Sequence, residues 1–208
     1  MKRVGLLAGL LVILAGAGTA AQSPSPEATP LYAPDDMAVA LPSSVGDYEV
    51  RISSGVLPTD DYREVYRDML LPFGKSPDDI RGADGMGYPV GDVGALDRDG
   101  PSFDLWAMRV EGVPGVALVE PWVRGAFTDS EAFDDALWQV AWRDIDGREV
   151  YVVTPIPELM EEAVARFGAN PEFGWYVLAK GEVMFIVSLP LTHPSGGPSL
   201  SEILARLP

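Results

Sequence analysis

Phe173-Gly-Trp-Tyr-Val-Leu-Ala-Lys-Gly-Glu-Val-Met-Phe-Ile-Val-Ser-Leu189 reads as two β-strands joined at Lys180-Gly181. Trp, Tyr, Val, Phe and Ile favour strands, and the Lys-Gly pair supplies the positive-φ position that a tight hairpin turn needs. Both strands are apolar almost without interruption, which predicts a hairpin covered on both sides in the middle of a sheet. Its two sides are expected to be Trp175/Val177/Phe185/Val187 and Tyr176/Leu178/Met184/Ile186. If helices cover one side, the other needs the 83–103 loop, the final helix or a partner chain.

Working outward, Pro157 opens an amphipathic helix, Glu158 to Phe167, with Leu159, Met160, Ala163, Val164 and Phe167 on its apolar stripe and Gly168 at its end. Before it, Ala136 to Arg143 and Arg148 to Thr154 form a hairpin through Asp144-Ile145-Asp146-Gly147. Upstream again, Phe103 to Val113 is a strand, and Pro114 opens a helical stretch that Pro121 should kink or restart. Gly46 to Ile52 alternates polar and apolar residues, the pattern of a strand with one wet face. Thr59 caps a helix with Asp60 and Asp61 in its first turn, Tyr62, Val65, Tyr66, Met69 and Leu70 on its apolar stripe, and Pro72 at its end. Ser76-Pro77 starts a short helix, soon broken by glycines at 82, 85 and 87. Residues 83–103, with five glycines and two prolines, read as a long loop. After the central hairpin comes a Pro/Gly/Ser loop at 190–198, then a helix from Leu200 to Leu207 capped by Ser199 or Ser201.

These elements predict an α+β fold: one domain over 39–208, with a largely antiparallel sheet of about six strands and helices mainly on one face. A degenerate internal duplication is an alternative inside that class. Gly46-Asp-Tyr-Glu-Val-Arg-Ile52, followed by Leu57-Pro58 and a helix, parallels Gly147-Arg-Glu-Val-Tyr-Val-Val153, followed by Ile156-Pro157 and a helix.

The chain has 208 residues, no cysteine and a formal charge of −16 from 31 acidic and 15 basic residues. Lys2 and Arg3, the apolar run Val4 to Ala17 and the small residues Gly18 to Ala21 have the layout of a signal peptide over 1–21. An uncleaved N-terminal anchor is the rival, since Val4 to Ala21 is 18 residues without a charge. No cysteine follows, which excludes a lipid anchor on such a residue. Residues 22–38 are rich in Pro, Ser and Ala and read as an extended, disordered tether. Without residues 1–21, 13 basic residues face 31 acidic ones, a charge of −18. So acidic a protein is repelled by nucleic acid and by anionic membranes, and no membrane contact is expected after signal removal. Without cysteines there is no disulfide framework, so the core holds the fold alone.

The Gly74-Lys75-Ser76-Pro77-Asp78-Asp79 loop, the Gly147-Arg148-Glu149-Val150 strand and the Tyr176-to-Val187 hairpin resemble those of a group of uncharacterised exported bacterial proteins with a Pro/Ser tether and one α+β domain. The resemblance covers roughly residues 42–208. It implies an architecture and an extracytoplasmic address, and no activity.

Catalytic machinery is hard to assemble from these residues. His193, the one histidine, lies in a Thr-His-Pro-Ser-Gly-Gly loop near Ser195, and no Gly-x-Ser-x-Gly elbow or Gly-x-Gly-x-x-Gly loop is present. Asp97-Arg98-Asp99-Gly100 with Asp104 has oxygen ligands and a turn glycine, a weak calcium candidate that lacks the third Asp or Asn and the final bidentate Glu. Asp144-Ile145-Asp146-Gly147 is better explained as a turn. The carboxylate pairs Asp60-Asp61, Asp78-Asp79 and Asp134-Asp135 fall at or near helix starts, and Glu161-Glu162 on a polar helix face; all four read as surface. Five tryptophans (106, 122, 138, 142 and 175) are expected mainly in the core, and exposure of Trp138 and Trp142 on one face would favour binding. No cofactor is implied. The chain reads as an exported binding or structural module with an unknown protein or small-molecule partner; the alternative is a secreted carboxylate-dependent hydrolase, calcium-assisted near Asp97 to Asp104.

Overall fold

A computed structural model describes residues 37–53, 60–90, 102–128, 137–167, 173–191 and 197–208. The expected signal segment, most of the tether, Thr59, Asp97, Asp99, Asp134-Asp135, Gly168, His193 and Ser195 lie outside the described residues. Met37, at the end of the stretch read as tether, is buried in the core.

The chain forms one antiparallel sheet with helices, an α+β domain. Its elements are β1 (Ser44–Val45), β2 (Tyr48–Ser53), α1 (Asp60–Leu70), β3 (Ile80–Pro89), β4 (Phe103–Val110), α2 (Gly115–Val123), β5 (Trp138–Ile145), β6 (Arg148–Pro155), α3 (Met160–Phe167), β7 (Phe173–Lys180), β8 (Val183–Pro190) and α4 (Leu200–Arg206). The sheet order is β1-β2-β3-β4-β8-β7-β6-β5, with every pairing antiparallel. Among the described residues, no helix is long and apolar enough to cross a membrane.

The sheet has eight strands, not about six. The additional ones are β1, too short for any periodicity to reveal, and β3, which occupies most of the first part of the expected 83–103 loop. The glycines of β3 do not break it, because side chains of its neighbours fill the space they leave. Gly87 faces Phe103 directly in register, and a Cβ at Gly87 would lie 2.1 Å from the nearest atom of the Phe103 ring. Phe103 is among the largest fully buried side chains and meets Tyr48 edge-on, with ring centroids 5.9 Å apart. The helix expected at Ser76-Pro77 is a single 3-10 turn, Pro77–Asp79, that leads straight into β3.

The central hairpin is β7 and β8, buried as predicted, with a corrected register. The loop is Gly181-Glu182 rather than Lys180-Gly181, since Lys180 pairs with Val183. Gly181 takes φ 61°, the first-position requirement of a two-residue turn. A two-residue loop sets odd-numbered residues opposite even-numbered ones, so Val177 faces Ile186 and Leu178 faces Phe185. The expected sides are thereby re-sorted: Trp175 and Val177 share a face with Met184 and Ile186, and Tyr176 and Leu178 with Phe185 and Val187.

Each face has its own core. Trp175, Val177, Met184 and Ile186 pack with Met69 and Leu70 of α1, Leu118, Val119 and Val123 of α2 and Ala163 of α3. On the other face Leu178, Phe185 and Val187 pack with Met37, Leu41 and the α4 residues Ile203 and Leu204. Ser199 caps α4 by accepting from the Glu202 amide at 3.3 Å, while Glu202 accepts from the Ser199 amide at 2.8 Å. Arg148 of β6 donates to the Leu207 and Pro208 carbonyls at 3.2 and 3.3 Å, tying the segment after α4 to the sheet.

Gly87→Ala must push the buried Phe103 ring aside, an overpacking cost of about 1–3 kcal/mol. Urea denaturation should show a lowered midpoint at unchanged slope. Unaltered stability would mean that β3 and β4 are not held at this spacing.

Candidate functional site

Two places on the sheet face that holds Trp175, Val177, Met184 and Ile186 concentrate polar chemistry. The first lies around Asp104, the described member of the calcium candidate. Asp104 sits on β4 opposite Met86 of β3 and Ser188 of β8. Asp84, opposite Trp106, is its diagonal neighbour on the same face. The two buried polar residues among the described ones flank it: Ser188 in register and Ser102 just before the strand. Burial, and then the Asp84 charge, push the Asp104 carboxyl up to about 7. Among the described residues, no three metal-ligating side chains come together. Asp104 is thus brought to Asp84, a residue not singled out in the sequence; the isolated acid in the otherwise apolar-rich run Phe103 to Val110 was the available sign.

The second place is an open groove of about 490 Å³ lined by Val116, Ala117, Glu120, Pro121, Trp142 and Glu149. Its floor comes from the β5–β6 hairpin. Asp146 and Gly147 adopt φ 54° and 77°, the two-residue turn that Asp-Gly favours, and Asp144 accepts from the Gly147 amide at 3.1 Å. The turn lies where the sequence placed it but is shorter, since Asp144 and Ile145 belong to β5 and pair with Glu149 and Arg148. That turn fixes Trp142 opposite Tyr151 and Asp144 opposite Glu149. The Trp142 and Tyr151 rings meet at a tilt, with centroids 4.9 Å apart.

The wall comes from α2, seated by its first residue. The Gly115 amide donates to the Gly181 carbonyl at 2.8 Å, and a Cβ there would lie 2.5 Å from the Val183 carbonyl oxygen. A glycine lets the helix start touch the β7–β8 backbone. Pro121 stands inside α2 and a π-helical turn, Arg124–Thr128, follows, so the expected kink appears as a change of helix type. Within α2, Glu120 is the lone acid, and its Oε1 accepts from the Trp142 indole N–H at 3.1 Å. Val116 is 54% exposed beside it. Burial first, then Glu120, push the Tyr151 hydroxyl upward, with Arg124 opposing.

This arrangement offers an indole face, apolar side chains and carboxylates at an open mouth. Among the described residues that line it there is no hydroxyl, thiol or imidazole, and it suits a cation with an apolar stem. Trp138 and Trp175 are buried, whereas Trp106, Trp122 and Trp142 are partly exposed at the core margin, so the joint exposure of Trp138 and Trp142 that would have favoured binding is not met. Glu120 and Glu149 were not singled out in the sequence, although a lone acid in an apolar helix was the legible hint.

The remaining acids are local. Asp79 accepts from the Ser76 amide and hydroxyl at 2.8 and 3.0 Å, which holds its carboxyl below the usual range. Glu161 and Glu162 are exposed on α3, and Asp60 and Asp61 occupy the first turn of α1. No protein family, curated protein or solved structure matches this chain.

Since the Asp104 carboxyl is raised in the folded protein, the native state holds more protons than the unfolded chain between about pH 4 and 7. This contribution therefore destabilises as pH rises through that window and is fully unfavourable above it. Asp104→Asn should raise the melting temperature at pH 8 and flatten the pH dependence between pH 4 and 7, by at most a few kcal/mol. An unchanged profile in thermal melts would show that Asp104 is solvated.

Proposed function

We propose that the chain is an exported binding module, not an enzyme, that holds cationic groups in the groove between α2 and the β5–β6 hairpin. The observation that carries this reading is the Trp142 indole, oriented by Glu120 at 3.1 Å, with Glu149 lining the same open groove. An aromatic face beside carboxylates attracts a guanidinium or ammonium group through both the ring quadrupole and the charge. The export part rests on the layout of residues 1–21, and the same address is implied by the resemblance to exported bacterial proteins with a Pro/Ser tether. The mirrored strand order, β1-β2-β3-β4 against β5-β6-β7-β8, supports an origin by degenerate duplication, although α2 and α4 pack against different cores.

The alternative, a secreted carboxylate-dependent hydrolase with calcium near Asp97, Asp99 and Asp104, draws on one observation. Asp104 titrates near 7 beside Asp84, the range useful to a general acid. Calcium titration followed by thermal melting separates the readings: stabilisation lost in Asp104→Asn favours the hydrolase, and its absence removes the calcium part.

For the groove, calorimetric titration with N-acetylarginine amide at low salt should give saturable binding. Trp142→Ala should abolish it, and Glu149→Gln should weaken it about tenfold or less, with salt acting in the same direction. Failure of arginine amide, and of tetramethylammonium, to saturate would overturn the proposal.

A further inference from the structure

We infer that the natural occupant of this groove is an extended basic segment of a partner protein, which joins β5 as a ninth strand and lays a Lys or Arg side chain across Trp142. The inference rests on the groove reading above and adds the backbone to it.

β5 is the last strand of the sheet order, and among the described residues it pairs with β6 alone. Its eight residues run in unbroken register from Trp138↔Pro155 to Ile145↔Arg148, with no bulge. Trp138-Gln-Val-Ala-Trp-Arg-Asp-Ile145 contains no Pro, Gly or Lys, and its charges are confined to Arg143 and Asp144 at its end, so the edge from Trp138 to Trp142 carries no charged side chain. The strand at the opposite end of the sheet order, β1, has only two residues. An antiparallel edge strand presents the N–H and C=O of alternate residues outward, a template for an added strand.

Charge selects the partner. Asp144 directly faces Glu149 across β5 and β6, and Glu120 lines the groove beside them. Like charges placed directly opposite repel unless a cation lies between them. A residue of an added strand opposite Trp142 would have its Cβ about 5 Å away on the same face, within reach of a long cationic side chain. A second copy of this chain, with formal charge −16, is repelled from the same edge.

The test uses four probes in calorimetry with the full chain. They are N-acetylarginine amide, a capped eight-residue peptide alternating arginine and valine, the same peptide methylated at every internal amide nitrogen, and one with glutamate for arginine. The unmethylated basic peptide should bind at least about tenfold tighter than the small amide, and methylation should remove that gain. Amide exchange should slow at alternate residues of β5 in its presence. If the arginine amide binds and both basic peptides bind no better, strand addition is wrong while the groove reading survives. Both fall if no cation binds. Equal binding of the glutamate peptide would overturn the charge argument and the inference with it. Protection of β5 that grows with protein concentration alone, with dimers in sedimentation, would name a second copy as occupant and overturn it too.

Discussion

The double burial of the β7–β8 hairpin is the constraint on which this molecule rests. Two strands with no wet face need cover on both sides, and the sequence provides it in two packages. One is the α1, α2 and α3 layer; the other is α4 with the Met37–Leu41 segment. The hairpin also anchors α2 at its start, because the Gly115 amide bonds the loop carbonyl of Gly181 and the Gly112 amide reaches Glu182 at 3.2 Å. With that end fixed, Glu120 falls over Trp142 two strands away. Packing at the centre of the sheet thus sets the groove at its margin.

The polar features fall on the sheet face that holds Trp175 and Met184, and they differ in energetic character. Asp104 is a burdened residue: burial and the neighbouring carboxylate both oppose its ionisation. Glu120 and Glu149 stand at an open mouth, where water screens them. A binding role at the groove therefore asks little of stability, whereas any role for Asp104 would be maintained against it.

Where side-chain pattern alone decides local structure, the sequence was readable. Ser199 as a cap, the Asp146-Gly147 turn and the apolar stripe of α1 all follow from rules spanning fewer than about ten residues. β3 was not readable, because its strand character is borrowed. Gly85 and Gly87 are stabilised by Val50 and Phe103, which lie on different strands and are invisible to a local window. The faces of the central hairpin turned on a parity that only the two-residue loop settles. The site was hidden for the same reason: Glu120, Trp142 and Glu149 come from α2, β5 and β6, and nothing in their spacing announces that they meet. Asp104 was visible as an acid in an apolar-rich strand, yet its neighbour Asp84 lay in a stretch read as loop.

The placement of the aromatic residues has an optical consequence. All five tryptophans belong to the core beneath the three helices or to its margin, while the opposite core holds Phe103, Phe185, Tyr48 and Tyr176. Indole emission therefore reports on one half of the molecule and is nearly blind to the other. If the α4 side loosened first, the emission would stay native while circular dichroism already changed. Coincidence of the two signals would instead establish that the two cores, separated by a single sheet, melt as one cooperative unit.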